Sequence, residues 1–126
     1  MAVKFLSEEW AGAVTDALNS NDAFQQQAQG KIVKVQQVVT TPQESKFYFR
    51  IEDGQAEVAV GELPDAEATL IQDYDTAAAL MKNELNATAA YMSGKLKIQG
   101  DLMKLMQLQG LFATLPPAIK GIDVEY

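Results

Sequence analysis

Hydrophobic and polar positions recur with two different periods along this chain, and the change of period marks out its elements. Over residues 7–18, Trp10, Ala13, Val14, Ala17 and Leu18 fall at helical spacing. Ser7 is a good N-cap, and Glu8 and Glu9 in the first turn suit the positive end of the helix dipole. A polar break at 19–22 leads into a short helix over 23–29, which Gly30 stops. The period then drops to two. The Val-rich stretch 32–40 predicts a strand, and Pro42 places 41–44 in a turn. Over 47–52, Phe47, Phe49 and Ile51 face one way, while Tyr48, Arg50 and Glu52 face the other. Asp53-Gly54 is a two-residue hairpin loop, and a strand over 55–60 follows it. A turn at 61–65 and a fourth strand over 66–72 complete this half.

The second half returns to helical spacing. Asp73 or Asp75 caps a helix running to about residue 84, with Ala77, Leu80, Met81 and Leu85 apolar. Asn86 caps a shorter helix through Met92, and Gly94 ends it. Residues 95–99 form a strand with Leu96 and Ile98 inward, and Asp101 caps a helix to about residue 112. Pro116 and Pro117 allow only a new helix start. The order is helix, hairpin-linked strands, helix, strand, helix. It predicts an α+β fold with one mainly antiparallel sheet and helices over one face.

Composition narrows the function. The 126 residues suit one domain with its own core, at 48% hydrophobic and 21% charged. A net charge of −7 repels phosphate backbones, so no nucleic-acid partner is expected and membrane contact is at most transient. The chain has no histidine and no cysteine. Ser-His and Cys-His catalysis and ordinary zinc or copper sites are therefore excluded. Asp73 and Asp75 open like a calcium loop, but Ala77 stands where the next oxygen ligand belongs. Gly94, Gly100 and Gly110 match no nucleotide-binding pattern. No catalytic residue, metal or cofactor is nominated, and the chain is not expected to be an enzyme. Its start does not resemble a secretory signal, and the longest mid-chain apolar run, 77–81, is far short of the roughly 20 residues of a membrane span. The expectation is a cytoplasmic, soluble protein.

The predicted helix at 101–112 is unusually apolar, with Leu102, Met103, Leu105, Met106, Leu108, Leu111 and Phe112. A surface helix needs an apolar stripe about 100° wide. Here Leu102, Leu105 and Met106 line one side and Met103 widens the arc. One stripe meets the sheet; the remainder meets a neighbouring helix or lines a cavity. Four of the five methionines lie at 81, 92, 103 and 106, and flexible thioethers suit a surface that fits varied ligands. Two polar groups accompany it. Gln25, Gln26, Gln27, Gln29, Gln107 and Gln109 either hold a polar head group or form solvated helix faces. Lys82, Lys95, Lys97 and Lys104, against Glu84 and Asp101, give residues 82–104 a net +2 and leave −9 for the rest. They meet a phosphate-bearing head group or simply stand in solvent.

The stretch 90–106, Ala-Tyr-Met-Ser-Gly-Lys-Leu-Lys-Ile-Gln-Gly-Asp-Leu-Met-Lys-Leu-Met, resembles the signature of the sterol carrier protein type two family. Ala68-Thr69-Leu70-Ile71, Asp75 and Leu80-Met81 resemble the strand and helix before it, and the element order agrees over nearly the whole chain. The resemblance implies a five-stranded, mainly antiparallel sheet with helices over one face. Between them it implies an apolar tunnel for fatty acids, fatty acyl-CoA, sterol-like lipids or phospholipids. It implies carriage or presentation of lipid without turnover, in a single domain spanning residues 1–126, as a monomer or homodimer. By position, Leu80, Met81, Leu85, Met92, Leu102, Met103, Met106, Leu111 and Phe112 become wall candidates, joined by Phe47, Phe49 and Ile51 from the sheet. The chain ends Asp123-Val124-Glu125-Tyr126, unlike the peroxisomal signal of many eukaryotic members. The competing expectation is a non-catalytic interaction module whose apolar helix face docks a protein partner or a second copy.

Overall fold

Val33, Val35, Phe47, Phe49 and Ile51 project from one side of a sheet, and the helices are arranged to cover that side. The computed structural model describes residues 2–126. The sheet is built from β2 (Ile32–Val39), β3 (Ser45–Glu52), β4 (Gln55–Val60), β5 (Ala68–Gln72) and β6 (Leu96–Gly100), after a short β1 (Val3–Lys4) that lies apart. Its order is β4-β3-β2-β5-β6. The β2–β5 pair is parallel and the other three pairs are antiparallel. Register aligns the inward positions: Val35 pairs with Phe49 and Ala68, and Leu70 with Ile98.

Helix α1 (Glu8–Asn19) lies against the β4 edge of the sheet. Its Trp10, Val14 and Leu18 are fully buried. One helical turn apart, Thr15 and Asn19 reach the free edge of β4. The Thr15 hydroxyl accepts from the Val58 N–H at 2.9 Å, and its one proton is shared between the Ala11 and Val58 carbonyls at 2.8 and 3.0 Å. Asn19 bonds the Ala56 carbonyl and N–H at 2.9 and 2.7 Å. Two side chains thus satisfy an edge that would otherwise invite another strand. Side-chain caps start most of the other helices. They come from Asn21 for α2 (Asp22–Ala28), Asp73 for α3 (Tyr74–Met81), Asn86 for α4 (Ala87–Met92) and Asp101 for α5 (Leu102–Gln107).

Two helices differ from the sequence expectation. Helix α3 ends at Met81 rather than near residue 84, because Asn83 adopts a left-handed φ of 60° and the Glu84 N–H closes on the Ala79 carbonyl. The predicted helix at 101–112 is divided into α5 and α6 (Gln109–Phe112) at Leu108. There the Leu108 N–H bonds both the Lys104 and Leu105 carbonyls at 3.1 Å, tightening the turn. The tightening keeps Leu105, Leu108 and Leu111, spaced three apart, together on the buried side. Beyond them α7 (Leu115–Ile119) carries Pro116 and Pro117 in its first turn, and β7 (Val124–Glu125) pairs in parallel with β1. Among the described residues, no helix is long and apolar enough to cross a membrane.

Gly100 joins β6 to α5 at a φ of 99°, and a Cβ there would lie 2.5 Å from the Glu67 carbonyl oxygen and 2.9 Å from the Ala68 Cα. Both obstacles are backbone. Gly100→Ala is expected to lower stability by about 2–4 kcal/mol, measured by chemical denaturation. A loss within error of zero would show that the β5–α5 approach can relax. Asp73 is largely exposed, and its carboxylate is held below the ordinary value of 3.8 chiefly by the Thr76 backbone N–H. Its stabilising effect is present above that ordinary value and is lost as pH falls through the lower folded value. The difference in denaturation midpoint between wild type and Asp73→Ala should stay constant from neutral pH to about pH 5 and close below about pH 3.8. A difference that closes near pH 6 would place the effect on another group.

Candidate functional site

A cleft of about 670 Å³ opens where α1, the end of α3, α7 and the last five residues converge. This lies within the roughly 300–1,000 Å³ of small-molecule sites. Trp10 and Val14, both fully buried in α1, lie just beneath its base. The Trp10 indole is held edge-on between Phe5 and Phe47, with both ring centroids at 5.1 Å. The left-handed turn at Asn83 brings Met81, Lys82 and Asn83 to one wall. Helix α7 supplies Pro116, Pro117 and Ile119, and Lys120 follows at its end. Ile122, Asp123, Val124 and Tyr126 form the remaining wall. That last segment is held to the body by β1, through the Val3 N–H to Asp123 at 2.8 Å and the Phe5 N–H to Glu125 at 2.9 Å.

The cleft wall is polar and apolar in about equal parts, with Met81, Pro116, Pro117 and Ile122 beside Lys82, Asn83, Lys120 and Asp123. Lys82, Lys120 and Asp123 are exposed. The Lys82 Nζ sits 4.7 Å over the Tyr126 ring, a cation–π contact, and Tyr126 packs on Phe5 at 4.9 Å. Burial raises the Tyr126 phenol above its ordinary 10.0, so it stays neutral at physiological pH. Among the described residues, no group of three His, Cys, Asp or Glu is placed to hold a metal ion.

Of the twelve wall candidates named from sequence, Phe47, Phe49, Ile51 and Leu111 share one core cluster with Met81 and Phe112 packed against it, and the others lie apart from it. Phe47, Phe49 and Ile51 are buried in the core between sheet and helices, as is Leu111. Leu80, Met81, Leu85, Leu102 and Phe112 are half-buried, and of these Met81 lines the cleft. Met92, Met103 and Met106 stand outside, 80%, 68% and 55% exposed. The Leu105–Leu108–Leu111 row explains the two in α5. It turns that helix so that its leucines meet Val33, Val35 and Ala68, leaving a notch of about 10 Å³, room for one water molecule. The large space lies at α7, the helix that starts at Pro116 and Pro117.

The basic residues also separate. Lys104 is paired with Glu67, Lys95 and Lys97 are exposed, and Lys82 is at the cleft. Gln25 donates to the Asn19 carbonyl, while Gln26, Gln27, Gln29, Gln107 and Gln109 are exposed. Two other glutamines, Gln37 and Gln72, are buried on the helix-covered side of the sheet. A signal for them was present: counting by two from Val33 and Val35 reaches Gln37, and from Ala68 and Leu70 reaches Gln72.

Comparison with known proteins fits this architecture. A crystal structure of sterol carrier protein 2 superposes with a TM-score of 0.79 at 20% identity, covering 94% of this chain and 98% of that one. The sec-alkylsulfatase Pisa1 from Pseudomonas sp. superposes over 82% of this chain and 16% of that enzyme, with a TM-score of 0.65 at 20% identity. Stomatin-like protein 1 of Mus musculus is 35% identical over 74 residues, which is 57% of this chain and 18% of that protein. The chain thus spans about a fifth of the length of this curated relative. The family pattern of the SCP-2 sterol transfer family matches residues 8–113, from the first turn of α1 to just past α6. The chain therefore belongs to the SCP-2 sterol transfer family.

Proposed function

We propose that residues 1–126 act as one lipid-binding domain, which takes an apolar chain into the cleft beside α7 and releases it unchanged. The observation that carries this reading is the cleft itself: ligand-sized, resting on the buried Trp10 and Val14, and edged by Lys82, Lys120 and Asp123. Membership of the family supports the ligand class. The pairing of β1 with β7 supports a single unit, because it joins the two ends that lie outside the family match. Lys82 and Lys120 favour an acidic head group at the margin, such as a fatty acid carboxylate or the phosphates of a fatty acyl-CoA or phospholipid. A sterol-like ligand would use the apolar part of the wall alone. Binding without turnover follows from the chemistry available, since the cleft offers no histidine or cysteine and its charged groups stand at the edge. The domain would work in the cytoplasm and touch membranes briefly to load and unload.

A second reading has its own observation. Met92, Met103 and Met106 are exposed, and an interaction module would present such side chains to a partner or a second copy. A stable dimer in light scattering that dissociates on Met103→Lys would favour it.

The chain has one tryptophan, and it lies just beneath the cleft base. A fatty acid brominated along its chain is expected to quench most of the Trp10 emission, saturating at one lipid per protein. Met81→Arg, which puts a charge in the apolar wall, should weaken quenching by roughly tenfold, and Met106→Arg should leave it within about twofold. Uptake of the brominated lipid with no quenching would place the ligand elsewhere.

A further inference from the structure

The two edges of the five-stranded sheet differ. On β4, the Thr15 and Asn19 side chains occupy the outward N–H and C=O groups of Ala56 and Val58. The other edge is β6, which pairs with β5 alone. Two bonds fix which of its backbone groups point outward. The Gln72 carbonyl accepts from the Thr40 N–H, just past β2, at 2.9 Å, and the Asp101 N–H donates to the Glu67 carbonyl at 3.1 Å. Along β5, Leu70 and Gln72 therefore turn their N–H and C=O to β2. Thr69 and Ile71 turn theirs to their β6 partners Gln99 and Lys97. The N–H and C=O of Leu96, Ile98 and Gly100 are left on the outer edge. Among the described residues, no side chain and no other backbone group bonds them.

An open edge of this kind is a template for another strand. Strand β6 is regular along its whole pairing with β5 and has no proline. Its one guard is Lys97, exposed on the side of the sheet away from the helices. A second copy of the chain meets that guard without repulsion. With two β6 strands antiparallel about a two-fold axis at Ile98, Ile98 faces Ile98, Leu96 faces Gly100 and Lys97 faces Gln99. No like charges are opposed, and each outward N–H meets an outward carbonyl. Just beyond the strands, Lys95 comes opposite Asp101 of the second copy. Both are exposed, and neither has an ion-pair partner in its own chain among the described residues. The same axis brings the end of α4, with Met92, towards the start of α5, with Met103, of the second copy. These are the two most exposed large apolar side chains among the described residues. An acidic strand from another protein would suit Lys95 and Lys97, but it would set a like charge against Asp101 and leave both methionines in water.

We propose that two copies of this chain join through β6 into one continuous sheet across a two-fold axis at Ile98. The assembly closes at two, because the β4 edges left outside are already occupied by Thr15 and Asn19. Strand β6 contributes nothing to the cleft at α7, so both clefts stay open. The pairing is thus independent of the lipid-binding reading.

The test follows the full chain over rising concentration by light scattering and by amide hydrogen exchange in NMR. The mass should approach twice that of one chain and go no further. Protection of the Leu96, Ile98 and Gly100 amides should rise in step with it, while the Lys97 and Gln99 amides, bonded to β5, are protected throughout. Ile98→Pro removes an N–H that points outward, where an edge strand tolerates proline. It takes two hydrogen bonds from the symmetric pair and should weaken dimerisation roughly ten- to hundredfold. The exchange measurement needs no variant, so it decides even where the proline fails to fold. A chain that stays monomeric at millimolar concentration would overturn the proposal. So would a dimer whose Leu96, Ile98 and Gly100 amides exchange as freely as in the monomer, which would be joined through another surface, and so would assemblies that grow beyond two. In each case lipid uptake by the cleft is untouched.

Discussion

The seat of Trp10 is the contact on which the rest depends. Its ring is fully buried and edge-on to both Phe5 and Phe47, so one side chain ties the N-terminal segment, α1 and the sheet together. Removing a buried residue of this size typically costs about 3–5 kcal/mol. The chain of rings continues outward from Phe5 to Tyr74 and Tyr126, and inward from Phe47 to Phe49. The same indole lies just beneath the cleft, so the base of the cleft rests on the hydrophobic core. Such a floor is rigid, whereas the opposite wall is the 122–126 segment, held through a two-residue strand and ring contacts. Adaptation to ligand length is therefore expected on the C-terminal side.

A second constraint decides where the cleft lies. Leu105, Leu108 and Leu111 recur every three residues, and the tightened turn at Leu108 lets all three stay buried. With these leucines seated on β2 and β5, little space remains beneath α5. Met103 and Met106 are consequently turned to solvent. The space instead lies where α7 restarts the chain and where α3 stops early at a left-handed Asn83.

Much of the fold was legible because its signals are local. The Phe47–Phe49–Ile51 alternation, the Asp53-Gly54 loop and the capping residues Ser7, Asp73, Asn86 and Asp101 each act within a few positions, and each appears where expected. The site was less legible because it is set by how elements meet. Treating 101–112 as one regular helix put Met106 beside Leu102 and Leu105; a three-residue period in the buried leucines would have put it outside. Lys120 and Ile119 carry no local signal, and their placement depends on α7 folding back beside α1. Gln37 and Gln72 were within reach of the strand alternation, but amides at inward positions are conspicuous only once the covered side of the sheet is fixed.

The central claim is that this domain holds a single lipid in a cleft whose base rests on its own core. Native mass spectrometry of the purified chain, before and after incubation with a mixed lipid extract, tests it most directly. The account predicts a one-to-one complex whose added mass is recovered as lipid on solvent extraction, and which is lost in Met81→Arg. A folded wild-type chain that remains at its bare mass in both samples would contradict it.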